Sequence, residues 1–333
     1  MATISIVIPV YNARPYLEDC LSSLANQTFA DIDVFCVDDF STDGSFDFLE
    51  EFARKDHRFH ALKSPEKGVG YARNAGVDAA DGDFLMFVDA DDFIHPQTSE
   101  TLLTIAKKRD ADIVQCLSQR VPAGAKAENF APFDIDAVET AVREDALRRM
   151  LGKDACPFGQ KHDAWINAVK KLYRRTVFKE LRYDVRLAHE DDATYSLFAE
   201  TLSKKTVWVN KELYFYRENP SSVTRSLNIN RYCSSAAARI PLWHERLMPA
   251  LPDDLKELLK KRQTNDAFRM MVKKPLKKGG QKELLEQMRR ALADDVAKNM
   301  IDARFLSVGD KIVFAAFVRG RFTPAKALLR LGL

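Results

Sequence analysis

Phe84-Leu-Met-Phe-Val-Asp-Ala-Asp-Asp-Phe-Ile94 decides how the rest of this chain is read. Five apolar residues run straight into Asp89, and Asp91 and Asp92 follow. A strand covered on both faces needs no polar alternation, so Phe84 to Val88 predicts a buried strand. The acids then stand just past its C-terminal end. In open α/β sheets ligands bind at that edge. Carboxylates two residues apart can share one divalent cation, and Mg²⁺ and Mn²⁺ favour such hard oxygen ligands. A surface turn also uses Asp, so the flanking chain has to decide between the two.

Working outward, strands and helices alternate with short connections. Ile4 to Ile8, Ile32 to Val37, Arg58 to Leu62 and Asp112 to Leu117 predict further strands. Helical spacing of apolar residues follows Pro15 (Leu17, Cys20, Leu21, Leu24) and recurs at Phe48, Leu49 and Phe52, then over Thr98 to Arg109. Gly68 to Ala80 reads as a loop entering a helix. Such alternation implies a mostly parallel sheet with helices on both faces. Three polar clusters then fall at strand ends: Tyr11-Asn12, Asp38-Asp39 and Asp89-Asp91.

The bulk numbers fit a globular chain of 333 residues, 30% charged and 46% hydrophobic. Five scattered Cys residues without a CxxC pair argue against a disulfide framework and for a reducing, cytoplasmic setting. The N-terminal residues lack a basic segment and a long apolar run, so no signal peptide is expected. No stretch approaches the roughly 18 apolar residues of a membrane span. Charge is divided unevenly: from Asp253 onward there are 19 Lys and Arg against 10 Asp and Glu, while the chain before it is net acidic. A basic end suggests a polyanionic neighbour.

The order and spacing of the motifs carry a resemblance. Ser5-Ile-Val-Ile-Pro-Val-Tyr-Asn12, Leu21-Ser-Ser-Leu24 with Gln27-Thr28, and Val37-Asp-Asp-Phe-Ser-Thr-Asp-Gly44 come first. Gly68 with Ala72-Arg-Asn-Ala-Gly76 and Phe87-Val-Asp-Ala-Asp-Asp92 complete the set. Together, over roughly residues 3 to 118, they resemble a family 2 inverting glycosyltransferase of the GT-A (Rossmann-like) fold. The resemblance implies a nucleotide pocket for a UDP-sugar, with Pro9, Tyr11, Asn12 and Asp39 in it, Tyr11 and Asp39 against the uracil. It implies Arg73 close to the nucleotide, Asp89 at the ribose or metal, and Asp91 on Mn²⁺ or Mg²⁺ between the phosphates. Residue types agree: a carboxylate such as Asp39 can accept the uracil N–H, which Lys or Arg cannot. One departure is Phe40, where the family has Gly; Gly tolerates positive φ and Phe does not.

Further on, His189-Glu-Asp-Asp192 precedes a helical pattern through Tyr195 and Phe198. Acids there are favoured as caps and by the helix dipole. By resemblance Asp191 is the catalytic base with Glu190 beside it, Asp192 and Glu190 being the alternatives. Trp165 offers an apolar face to a sugar ring, or a core position. Lys205 to Asn210 and Glu212 to Arg217 read as two strands. Leu213-Tyr-Phe-Tyr-Arg217 with Ser221-Ser-Val-Thr224 is similar to an element of bacterial surface-polysaccharide members. Arg217 could meet the donor diphosphate or form a structural ion pair.

The expected organisation is a nucleotide-sugar half over 1–118, an acceptor half of the same domain over 119–228, and a helical basic appendage over 229–333. Arg120 to Glu139 reads as a variable loop bordering the acceptor pocket. The end, Ile312-Val-Phe-Ala-Ala-Phe-Val318 with Arg319, Arg321, Lys326 and Arg330, suits an anionic membrane surface on the inner face of the plasma membrane. Packing on the sheet domain and a homodimer contact are the alternatives. Nucleic acid is not expected, since no motif accompanies the charge. The resemblance implies transfer of a sugar to a glycan or lipid-linked acceptor in capsule or lipopolysaccharide assembly. No Gln-x-x-Arg-Trp motif is present, unlike the processive synthases. The rivals are a nucleotidyltransferase, which would show a Gly-rich basic phosphate loop where Pro9-Val-Tyr-Asn12 stands, and a non-catalytic nucleotide-sugar-binding protein.

Overall fold

In the computed structural model, the apolar run Ile4–Val10 (β1) lies at the middle of a parallel set. Its neighbours are Ile32–Asp38 (β2) and Phe84–Phe87 (β4), with Phe59–Lys63 (β3) outside β2. The structure describes residues 2–127, 130, 138–152, 167–187, 191–219, 229–277, 281–297 and 300–331. The chain divides into two compact units, Met1–Val185 with Asp191–Ser222, and Arg186–Glu190 with Val223–Leu333.

In the first unit the sheet order is β3-β2-β1-β4, then Lys171–Arg174 (β8), Ile113–Val121 (β6), Lys205–Arg217 (β9) and Phe93–Ile94 (β5), with Val138–Val142 (β7) also on β9. β8 runs antiparallel to both β4 and β6, while β6 and β9 are parallel. The sheet is therefore mixed but mostly parallel. Register places Val10 opposite Asp38 and Val7 opposite Phe87. The loops after β1, β2 and β4 consequently open on one edge.

Helices Arg14–Ala25 (α1), Ser45–Lys55 (α2), Val69–Ala79 (α3) and Thr98–Arg109 (α4) connect these strands. Leu17, Cys20, Leu21 and Leu24 of α1 are buried, as their spacing requires. α3 packs tightly on β1: a Cβ at Gly76 would lie 2.4 Å from Val7 Cγ1. No larger residue allows that approach without displacement, so Gly76 sets the height at which α3 carries Arg73. Arg143–Gly152 (α5), Arg175–Phe178 (α6) and Asp191–Leu202 (α7) complete the unit.

Two expectations are corrected. Residues 205–217 form one thirteen-residue strand, not two. Asn210-Lys211 looks like a turn in sequence, and β9 carries its extra residues there: Trp208 to Tyr214 face only Gln115 to Ser118 of β6, an irregularity that leaves the strand continuous. The expected strand ending at Leu117 continues to Val121, into the segment read as loop.

The second unit contains Ile229–Arg246 (α8), Asp253–Ala267 (α9), Lys274–Lys277 (α10), Lys282–Ala297 (α11), Val308–Val318 (α12) and Phe322–Arg330 (α13). A π-helical stretch, Phe268–Lys273, joins α9 to α10. Leu255, Leu259, Leu284, Leu285, Met288 and Leu292 are buried. No helix of the described residues is long and apolar enough to cross a membrane. Cys20, Cys36, Cys116 and Cys233 are free and buried.

Candidate active site

The edge of the first unit is stitched together before any ligand is considered. Asn12, in the left-handed region at φ 47°, accepts the Thr42 N–H on Oδ1 at 2.8 Å. Its own N–H donates to Ser41 Oγ at 2.9 Å. Asn tolerates that conformation better than most residues, and here it ties the β1 loop to the β2 loop. Asp39 is buried; its Oδ1 accepts the Gly68 N–H at 2.6 Å, linking β2 to the entrance of α3. Tyr11 stays exposed, with Lys67 Nζ 5.1 Å over its ring. Pro9 is the penultimate residue of β1. Asp38, not singled out by sequence, has a buried Oδ1 without a partner among the described residues.

Phe40 adopts φ 60° and is 51% exposed. The chain thus keeps the left-handed backbone that Gly would favour while carrying a bulky side chain. A non-Gly residue costs about 1–2 kcal/mol there. Phe40→Gly is expected to raise the thermal midpoint by a few degrees, about 2–4 °C per kcal/mol for a domain of this size. A drop in a melting experiment would mean that contacts of the ring outweigh the strain.

Past β4, the three acids separate by role. Asp92 is fully buried: Tyr214 donates to its Oδ2 at 2.6 Å and the Arg217 N–H to its Oδ1 at 2.8 Å. Burial holds its carboxyl well above the usual range, and the charges of Asp91 and Asp89 push the same way. The Tyr214 hydroxyl in turn accepts the Asp89 N–H at 3.2 Å. Asp92 is therefore the anchor of the loop. Asp91 is half-buried, and Asn219 Nδ2 donates to its Oδ2 at 3.1 Å. Among the described residues no group of three or more His, Cys, Asp or Glu could hold a metal ion. That does not exclude a cation bound with a diphosphate, which needs only one or two carboxylates because phosphate oxygens and water supply the rest. Asp89 and Asp91 have the right donor chemistry for Mn²⁺ or Mg²⁺.

Arg217, expected to meet the donor diphosphate or to form a structural ion pair, makes an ion pair with Asp19. Its guanidinium donates to the Asp91 carbonyl at 3.0 Å, the Ala123 carbonyl at 3.0 Å and Asp19 Oδ2 at 3.1 Å. Its side chain is almost wholly buried, with Tyr16 and Phe93 rings beside it. A cation so engaged braces the acid loop from behind.

Arg73, on α3, is where the edge converges. Its Nη2 donates to Asp89 Oδ1 at 3.1 Å and its Nη1 to Asp191 Oδ2 at 2.5 Å. Asp192 Oδ1 lies 2.9 Å from the same Nη1. Asp191 and Asp192 form the first turn of α7, where the helix dipole favours anions. Three carboxylates thus share one guanidinium. Burial pushes Asp192 up to about 7, helped by the charges of Asp191 and Asp89 and opposed by Arg73. Burial also raises Asp89, against the attraction of Arg73. Tyr183 lies under Arg73 at 4.9 Å and stacks on Tyr195 at 4.2 Å. Asn74 exchanges hydrogen bonds with the Tyr183 backbone at 2.9 and 2.8 Å, pinning that segment to α3. Below, Lys171 Nζ donates to Ser196 of α7 at 3.1 Å, and burial lowers its ammonium to about 7. Tyr183, Tyr214, Asn219 and Lys171 escaped the sequence reading, since single polar or aromatic residues announce nothing alone. Glu190 and Trp165 lie outside the described residues.

Carboxylates gathered at one edge of a mostly parallel sheet agree with the GT-A resemblance of the sequence. The chain matches the family described as glycosyl transferase family 2 over residues 5–181 and belongs to that family. It is 41% identical over 245 residues to an uncharacterized glycosyltransferase of Haemophilus influenzae, covering 71% of this chain and 85% of that one. It is 30% identical over 224 residues to the glycosyltransferase GlyG of Streptococcus pneumoniae, covering 67% and 73%. The chain spans 62% of each of two other curated relatives, both from Bacillus subtilis. Among solved structures, S. aureus TarS 1–349 in complex with UDP-GlcNAc is similar in fold, with TM-score 0.73, 19% identity, and coverage of 99% of this chain and 92% of that one.

Proposed function

We propose that the chain transfers a sugar from a UDP-sugar to a hydroxyl of a glycan or lipid-linked acceptor, inverting the anomeric centre, in capsule or lipopolysaccharide assembly. One observation carries the reading: Arg73 holds Asp89 of the acid loop and Asp191 and Asp192 of α7 within reach of one guanidinium. Donor-side and acceptor-side carboxylates are then neighbours, as a displacement at one carbon requires. The UDP-sugar assignment draws on the likeness to TarS, which is bound to UDP-GlcNAc.

In this reading Tyr11 and Asp39 face the uracil, and Asp91 and Asp89 would hold Mn²⁺ or Mg²⁺. When bound, the cation neutralises charge on the diphosphate leaving group. The acceptor oxygen attacks the anomeric carbon as the bond to the diphosphate oxygen breaks. Its proton passes to Asp191, with Asp192 beside it as a second anion on the same turn. A base is most effective when its proton affinity lies near the working pH; burial pushes Asp192, the alternative base, up to about 7.

Titration calorimetry with UDP, ADP, GDP and CDP, with and without Mn²⁺, tests the donor site. UDP alone is expected to bind, with Mn²⁺ strengthening it. Asp91→Asn should erase most of the metal's contribution, a loss of about tenfold or more, and leave metal-free binding unchanged. Preference for GDP or CDP would overturn the donor assignment. Folded protein that binds no nucleotide would overturn the transferase reading.

A further inference from the structure

We infer that the α12–α13 hairpin of the second unit is a docking surface for a bilayer bearing anionic lipid headgroups. The inference is independent of the donor reading. α12 is apolar all round over Ile312 to Val318, a composition normally found in a helix with protein on every side. Only one side is covered. Val313, Phe314 and Phe317 are buried in the core of the unit. On the opposite side Val308, Ile312, Ala315 and Arg319 fall at i, i+4, i+7 and i+11, a single stripe. Val308 is 76% exposed and Ile312 48%. At the far end of the hairpin Leu331 is 77% exposed. Val308 and Leu331 are the two most exposed large hydrophobic residues among those described.

Charge selects the occupant. Lys311 and Arg319 bracket the apolar run of α12, and Arg321, Lys326 and Arg330 follow on α13 or just before it. None of these five cations has a carboxylate partner among the described residues. The nearby acids are already engaged: Asp310 with Lys273 at 2.7 Å and Asp302 with Arg304 at 2.6 Å. An exposed apolar stripe edged by uncompensated Lys and Arg matches the acyl–headgroup boundary of an anionic leaflet. The stripe enters the acyl boundary while long basic side chains reach the phosphates. Each Lys or Arg near such a surface contributes about a fivefold gain in partitioning at physiological ionic strength. The two helices have 11 and 9 residues, too short to span, so they lie in the interface plane.

The test uses the full chain and sedimentation with vesicles of phosphatidylcholine alone or mixed with phosphatidylglycerol, at roughly 0.1 M salt. Binding is expected to the mixed vesicles only and to fade as salt rises. Val308→Glu with Ile312→Glu, and separately Lys311→Glu with Arg319→Glu, should each weaken it by about tenfold or more. Both pairs are solvent-facing, so melting temperature and UDP affinity should match wild type. Equal binding to both vesicle types, or none to either, would overturn the inference. So would a concentration-dependent dimer that Val308→Glu with Ile312→Glu dissolves while vesicle binding persists.

Discussion

Asp191→Asn is expected to lower kcat by about 10²–10⁴-fold while leaving UDP affinity near wild type, the loss typical of a removed general base. Asn keeps the size of Asp and can still face Arg73, but it accepts no proton. The comparison that gives the result meaning is Asp192→Asn. Asp192 is pushed up to about 7 by burial, so its negative charge appears as pH rises through that value. A second anion on the first turn of α7 favours arrival of a proton there. Wild-type kcat/KM should therefore climb between about pH 6 and 8, the region around that value. Asp192→Asn should flatten the climb and retain most activity at its plateau. If Asp192→Asn brings the large loss and Asp191→Asn proves mild, the base is Asp192.

Arg73→Ala should be the most destabilising single change in the first unit, about 3–5 kcal/mol at pH 8. The guanidinium is nearly buried and sits among Asp89, Asp191 and Asp192. Without it, three carboxylates face one another with no counter-charge. Asp89 and Asp192, which burial already holds above the unfolded value near 4, then rise further because Arg73 no longer opposes it. The folded variant binds more protons than the unfolded chain between that value and the raised one. Its stability is accordingly greatest in acid and falls as pH rises. The deficit relative to wild type should be about 3–5 kcal/mol at pH 8 and should shrink toward pH 5. Arg73→Lys restores the charge but not the fork that spans separate carboxylates, and should fall between. Urea unfolding at the two pH values decides it. A deficit that is the same at both would mean packing on Tyr183, not charge, is what Arg73 supplies.

Much of this was legible in sequence because its signals were repeated. Continuous apolar runs named β1, β2 and β4, and the polar clusters after them, two of the three acidic, named the edge. What escaped lies in long-range pairing. Nothing in Leu213-Tyr-Phe-Tyr-Arg217 says that Tyr214 and Arg217 belong to Asp92, since the bond closes across 125 residues. Arg217 was accordingly left open between phosphate and ion pair, because a guanidinium suits both equally. Asn210-Lys211 reads as a break, and only its pairing with β6, where β9 carries extra residues, shows that the strand continues. In sequence Asp192 is a helix-favoured acid and one of the alternatives to Asp191 as base. Its raised proton affinity comes from neighbours brought in by α3 and the acid loop, which no local pattern contains.

The bond between Asp92 and Arg217 also fixes a sequence of events in synthesis. A ribosome adds about 5–20 residues per second, so roughly 6–25 s separate the appearance of Asp92 from that of its partner 125 residues later. Through that interval the residues of β1 to β4 have already been synthesised, but the acid loop has neither Tyr214 nor Arg217 to bond to Asp92. The nascent chain can build its sheet edge early and still lack a finished site. The bonds that hold Asp92 therefore close late, with the last residues of β9.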